Sequence, residues 1–309
     1  MSSTDNNNNR ICIANECANC GKGEEESSSL KACTACKLVK YCNRECQIAH
    51  RPQHKKECRK RVKEIHDENL FKVVELEECP ICFLLLPSLL TGGRYMSCCG
   101  KVICSGCIHA PVYDNQGNKV TQKKCPFCRT PTPTSEPEAM KRFKKRLEVG
   151  DAIAIHYQGN YYRAGRNGYR QDYTKALELH HRAAELGHVK SYLNIGNAYY
   201  KGRGVEVDMK RANHYYELAA MGGERQARYN LGIMEENAGN LDRAIKHYMI
   251  AARDGYSDSV KKIQEMYSNG YATKEDYTKA LQTYQKYLSE IKSEQRDKAA
   301  ESNEDCRYY

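Results

Sequence analysis

The chain has 309 residues, a formal charge of +10 from 49 basic and 39 acidic side chains, and 17 cysteines, 16 of them at or before Cys128. That length allows two or three domains, and the longest apolar run, Phe83 to Leu90, falls far short of the roughly 18 residues of a membrane span. The opening M-S-S-T-D-N-N-N-N-R lacks the charged start and apolar core of a signal peptide, so a cytoplasmic or nuclear location is expected, not secretion, and a disulfide scaffold is disfavoured. The basic residues are interleaved with acids, which argues for solvated helix faces, makes nucleic acid an unfavoured partner and leaves no expected membrane contact.

Residues 1–11 are polar, asparagine-rich and expected to be disordered. A first cysteine cluster follows in the order C-A-N-C (Cys17, Cys20), C-T-A-C (Cys33, Cys36), C-N-R-E-C (Cys42, Cys46) and H-K-K-E-C (His54, Cys58). Two intervening residues form a knuckle that turns two thiolates toward one metal, and four-residue spacing puts two ligands on one helix face. Eight soft ligands make two tetrahedral zinc sites. His50 could compete as a ligand, but His54 has the spacing to Cys58, so His50 is expected at the surface; Cys12 has no partner left over and reads as a free thiol. The string over residues 12–58 resembles the MYND zinc finger. The resemblance implies one zinc held by Cys17, Cys20, Cys42 and Cys46 and another by Cys33, Cys36, His54 and Cys58, with a peptide-docking role. Arg51 stands where that family usually has a tryptophan, and the chain has none.

Residues 59–78, with Val62, Ile65, Leu70, Val73 and Leu76 at mostly helical spacing, are expected to form a connecting helix. A second cluster supplies Cys79 and Cys82, the adjacent Cys98 and Cys99, Cys104 and Cys107, then C-P-F-C-R ending at Cys128 and Arg129. Residues 79–129 resemble the RING finger. The resemblance implies one zinc on Cys79, Cys82, Cys104 and Cys107, and a second on Cys125, Cys128 and two ligands from the middle. In the common C-G-H pattern Cys99 is the first of these and Lys101 falls on the second; a charged lysine offers no lone pair. Cys98 is the replacement that leaves no thiolate over, and His109 is its rival. RING fingers commonly act as ubiquitin ligases without a catalytic nucleophile, by holding a conjugating enzyme in reactive geometry. By resemblance Ile81 and Pro126 would contact that enzyme, and Arg129 would hydrogen-bond both it and ubiquitin. The family's frequent tryptophan between the sixth and seventh ligands is missing, and Pro111, Val112 and Tyr113 are the nearest substitutes.

The prolines of T-P-T-P-T-S-E-P mark residues 130–140 as a linker. Residues 141–290 then repeat: A-A-E-L-G-H at 183, A-A-M-G-G-E at 219 and A-A-R-D-G-Y at 251 each follow a K-A or R-A pair, and Lys279-Ala280 starts a fourth unit. Paired alanines let helices approach closely, and the glycine supplies a left-handed stop. These residues resemble the Sel-one-like repeat, a relative of the tetratricopeptide repeat, which implies a protein-binding helix-turn-helix solenoid. The third unit has lost about four residues of the G-x-G-V turn, at Asn237 to Asn240. Tyr161, Tyr199, Tyr215, Tyr216 and Tyr248 are expected to pack between helices in preference to serving as contact residues. Residues 291–309 are expected to be helical and then disordered.

The fold class is therefore small zinc-stabilised modules, two cross-brace fingers, followed by an all-α helical-repeat solenoid, with four Zn2+ expected, two per finger. The function that fits is a zinc-binding protein-interaction scaffold. It is either a RING-type ubiquitin ligase recruiting targets through its repeats, or a non-enzymatic adaptor or transcriptional co-regulator. Partners are proteins, engaged by the solenoid and the first finger, and a conjugating enzyme in the ligase case. Nucleic-acid binding by the 51–63 and 141–146 basic clusters is the weakest reading.

Overall fold

The computed structural model describes residues 15–23, 29–88, 90–110, 116 and 124–308, and the chain divides into two compact units, ending at Lys72 and beginning at Val73. The N-terminal segment 1–11, Cys12, and Pro111, Val112 and Tyr113 lie outside the described residues.

In the first unit β1 (Lys31–Ala32) pairs antiparallel with β2 (Lys40–Tyr41), and α1 (Arg44–Leu70) follows at once. Asn43, in extended backbone, starts α1 by accepting from the Cys46 N–H at 2.8 Å. The helix expected over 59–78 thus begins much earlier and ends at Leu70. Cys46, His54 and Cys58 all lie on this helix, Cys42 stands just before its cap, contrary to the expectation that 42 and 46 share a helix face, and Pro52 does not break it. Cys17, Cys33, Cys36 and Tyr41 are the buried residues of this finger, so sulfur supplies much of its small core.

The second unit opens with a hairpin of β3 (Gly93–Met96) and β4 (Lys101–Cys104), registered with Gly93 opposite Cys104, and a one-turn helix α2 (Ser105–His109). After α3 (Glu136–Glu148), capped by Ser135, the solenoid runs α4 (Ala152–Ala164), α5 (Tyr173–Glu185), α6 (Val189–Lys201), α7 (Met209–Met221), α8 (Arg225–Asn237), α9 (Leu241–Arg253), α10 (Ser257–Ser268) and α11 (Lys274–Ile291). No helix among the described residues is long and apolar enough to cross a membrane.

One packing rule recurs. Gly159, Gly196 and Gly232 stand at the same place in α4, α6 and α8, and each faces a ring from the next helix: His180, Tyr216 and Tyr248. A methyl group on Gly196 would lie 2.6 Å from the Tyr216 ring, so the glycine makes room for the aromatic. The alanine pairs 183/184, 219/220 and 251/252 are buried, and Gly187, Gly223 and Gly255 follow at φ of 87°, 89° and 88°. In the third unit only Ala238–Asn240 separates α8 from α9, and Asn240 makes no side-chain cap there, whereas Asp172 and Asp208 cap α5 and α7. Tyr199, Tyr216 and Tyr248 are buried between helices; Tyr161 and Tyr215 are half-buried.

The tail expected to become disordered is instead packed. After α12 (Glu294–Ser302), Cys306 and Tyr308 are 2% and 0% exposed. Tyr308 joins Tyr287 and Ile291 of α11 and Leu76 and Leu85 in one apolar cluster. Its burial against residues far upstream in the chain is what sequence periodicity does not register. Arg296, fully buried, donates to Ile291 O at 2.6 Å and Leu84 O at 3.5 Å, and α12 lies so close to α2 that a Cβ on Gly106 would meet the Arg296 backbone nitrogen at 2.9 Å.

Candidate metal centres

All four Cys-x-x-Cys turns share one backbone. Cys17, Cys33, Cys79 and Cys125 each accept, at their carbonyl, from the residue just past the second cysteine: Gly21 (2.9 Å), Lys37 (3.0 Å), Phe83 (2.9 Å) and Arg129 (2.8 Å). Those four residues have φ of 72°, 59°, 58° and 61°. The left-handed residue closes the turn and leaves both sulfurs on one side, and at three of the four places a bulky residue accepts that conformation.

These turns meet the remaining ligands in four quartets: Cys17, Cys20, Cys42 and Cys46; Cys33, Cys36, His54 and Cys58; Cys79, Cys82, Cys104 and Cys107; Cys98, Cys99, Cys125 and Cys128. Within each, the ligand atoms lie within 4.8 Å of one another. In both clusters the first and third pairs share one quartet and the second and fourth the other. Measured S···S separations are 3.6 Å (Cys20–Cys42), 3.5 Å (Cys42–Cys46), 4.0 Å (Cys33–Cys58), 3.8 Å (Cys82–Cys104), 3.9 Å (Cys99–Cys125) and 3.4 Å (Cys98–Cys128). A tetrahedron with Zn–S bonds of about 2.3 Å has edges of about 3.8 Å, whereas a disulfide is about 2 Å long. The spacing therefore fits a metal held by sulfur, and a donor set of thiolate and imidazole without carboxylate suits zinc.

Proton sharing carries the same message. The Cys79 thiol is drawn down to about 4, first by the hydrogen bond from Cys104 and against its own burial, while that bond, with burial, pushes Cys104 up. Crowded sulfurs hold protons between them, and a divalent cation takes the protons' place.

Each sequence-predicted ligand stands in a quartet. Cys98 lies with Cys99, Cys125 and Cys128, and His109, at the end of α2, stands in none. Lys101 is exposed, its ammonium 6.0 Å from the centre of the Phe127 ring. His50 is not a free surface residue: its Nδ1 is 3.1 Å from Tyr41 Oη, and its ring stacks on His54 at 5.7 Å. That contact orients the ligand ring, and the histidine pair one helical turn apart was its signal. Sequence reasoning missed Arg296, whose Nη2 lies 3.8 Å from Cys82 Sγ. A lone arginine in a polar tail carries no local sign of such a role.

At the exposed tips of the second cluster stand Phe83, 72% exposed, and Pro126, Phe127 and Arg129. Ile81 is half-buried against Cys79 and its neighbours.

Comparison with known proteins agrees with this geometry in two regions. Residues 17–58 match the MYND finger model. The segments 152–188, 189–224, 225–256 and 265–286 match the Sel1 repeat. The protein is thus built of zinc-binding cysteine clusters followed by a Sel1-repeat solenoid. Among curated relatives, it is 29% identical over 113 residues to the ERAD-associated E3 ubiquitin-protein ligase component HRD3B of Arabidopsis thaliana, covering 36% of this chain and 18% of that one. It is 40% identical over 67 residues to E3 ubiquitin-protein ligase DA2 of the same plant, covering 22% of this chain and 15% of that one. The chain thus spans less than a fifth of the length of either. A solved Sel1 repeat protein from Oxalobacter formigenes is 30% identical, with a TM-score of 0.42, over 54% of this chain and 64% of that one.

Proposed function

We propose that this zinc-binding interaction scaffold is a RING-type ubiquitin ligase. In this reading four zinc ions fill the four quartets, with Cys98 and not His109 completing the last. Residues 79–129 hold a charged conjugating enzyme, and the Sel1 repeats and MYND finger recruit the target. The observation that carries it is the exposure of Phe83 at one knuckle tip and of Pro126, Phe127 and Arg129 at another in an interleaved eight-cysteine module. Apolar side chains left out of a metal-built core are available to a partner. The names of partial relatives, among them E3 ubiquitin-protein ligase DA2, support the same direction. The module contributes no nucleophile: it binds and orients, and catalysis follows from positioning.

Autoubiquitination with a panel of conjugating enzymes tests this, comparing wild type with Ile81→Ala and Arg129→Asn, the latter chosen because asparagine tolerates the left-handed backbone. Loss of ubiquitin chains in both variants with zinc content unchanged is expected. No activity with any conjugating enzyme of the panel, or activity indifferent to both changes, leaves the non-enzymatic adaptor as the better account.

A further inference from the structure

The second unit begins with V-V-E-L, residues 73–76, which form neither helix nor turn. Their side chains alternate as in a strand. Val74 lies against Gly223, where an added Cβ would meet its Cγ1 at 3.3 Å, and Leu76 joins the apolar cluster of Tyr287 and Tyr308. Val73, 62% exposed, and Glu75 face water. Directly beyond, Glu78 bridges antiparallel to Leu85, with the Leu86 N–H donating to Glu77 O at 2.7 Å and the Cys79 N–H to Leu84 O at 2.9 Å. That pairing stops at Glu77. The N–H and C=O groups of residues 73–76 have no hydrogen-bond partner among the described residues, so the segment is a strand edge whose main chain is unpaired.

A groove of about 780 Å³ lies alongside, lined by the apolar Val74, Leu76, Leu85 and Tyr287. Its charges are of two kinds. Arg253 pairs with Asp254, and Lys286 lies 3.7 Å from Glu290, so these cancel. Glu75 and Glu78 line the same groove, are exposed and form no ion pair among the described residues, nor does Glu77 between them. The edge also lacks the proline or lysine that commonly keeps an exposed strand from pairing.

We infer that residues 73–76 and this groove take up an extended basic segment of a partner protein, which adds as a strand to the free main chain. Its apolar side chains rest on Tyr287 and Leu85, and its lysines or arginines meet Glu75 and Glu78. Unpaired main-chain groups select an extended backbone, and unpaired carboxylates select cations on it. A second copy of this chain would oppose the same acids to each other, which disfavours pairing edge to edge. Nucleic acid carries the wrong sign of charge. The inference stands apart from the ligase reading, since none of its residues stands at a knuckle tip.

The test is fluorescence anisotropy on the full zinc-loaded chain with three labelled probes: a peptide alternating lysine and valine, the same peptide N-methylated at its central amides, and its glutamate–valine counterpart. The basic peptide should bind best, and the other two at least roughly tenfold more weakly, one for want of main-chain donors and one for want of cations. Glu75→Lys with Glu78→Lys should reverse the preference in favour of the acidic peptide, whereas Glu178→Lys, at an exposed acid of α5, should change little. Glu75 and Glu78 are exposed, so the double variant keeps the fold, and circular dichroism with metal analysis checks it. Hydrogen exchange supplies the location: the amides of residues 73–76 should exchange freely in the chain alone and gain protection when the basic peptide is added. The inference is overturned if the N-methylated or the acidic probe binds as well as the basic one, if the charge reversal leaves the preference unchanged, or if the bound peptide protects another segment and not residues 73–76.

Discussion

The guanidinium of Arg296 reaches the sulfur of Cys82 across 3.8 Å, joining residues 214 apart in the chain, and from the same place it ties down Leu84 O and Ile291 O. A candidate metal ligand is thus supported by a side chain from α12. Arg296→Ala would leave buried carbonyls unpaired and should cost about 1–3 kcal/mol. Hydrogen exchange should rise over residues 79–86 and 292–308 together; faster exchange in only one of the two segments would show that they are not coupled.

Chelation should separate the metal-built parts from the helical array. With a strong chelator at neutral pH, exchange protection should vanish over 15–58 and 79–110 and, because α12 rests on α2, over 294–308 also. Protection in α4 to α10 should persist, since that core is alanine, tyrosine and leucine rather than sulfur. Collapse of α4 to α10 on chelation would contradict the independence of their core.

Replacing Cys98 with serine should lower bound zinc by one ion per chain, measured by metal analysis after gel filtration, and His109→Ala should leave it unchanged. The reverse pattern would give the site to His109.

Gly196→Ala should destabilise the solenoid by about 1–3 kcal/mol, because its methyl group would press into the Tyr216 ring. The double variant with Tyr216→Leu, a smaller side chain, should recover part of that loss in thermal unfolding. Equal losses in the single and double variants would mean that the ring is not what excludes the methyl group.

The solenoid should lose stability in mild acid. Burial, with the charge of Arg163, holds His180 down to about 3, and burial with Lys190 holds His188 at about 4, against Asp151, which raises it. In the unfolded chain both would titrate near 6.5. The depressed folded values mean that the unfolded state binds more protons below 6.5, so the contribution is complete above that pH and is lost as pH falls toward 4 and then 3. His180→Tyr copies the residue that Tyr216 and Tyr248 provide in the next repeats, and it should flatten this acid-side slope. An unchanged slope would place the titration elsewhere.

The grouping of the candidate ligands into quartets was legible because metal geometry is local: a knuckle needs two residues between its cysteines, and a helix needs three between its ligands. The solenoid was legible because Ala183-Ala184 and its counterparts recur with a glycine behind them. What escaped was decided by partners distant in sequence. Nothing near Arg296 or Tyr308 distinguishes a buried tail from a solvated one. Phe83 and Arg129 hold a backbone conformation usually given to glycine, for which their identity gives no hint.

The second cysteine cluster touches the helical array toward both of its ends. Tyr95 packs at 5.5 Å on Tyr157 of α4, and Gly106 lies against Arg296 of α12. Most repeat arrays evolve by duplicating or dropping a unit, since each unit needs only its neighbours. Here an inserted unit would carry α12 away from α2 while α4 stayed beside β3, so contacts at both ends constrain the number of repeats. Point substitution within existing units is the route left open to a new binding preference.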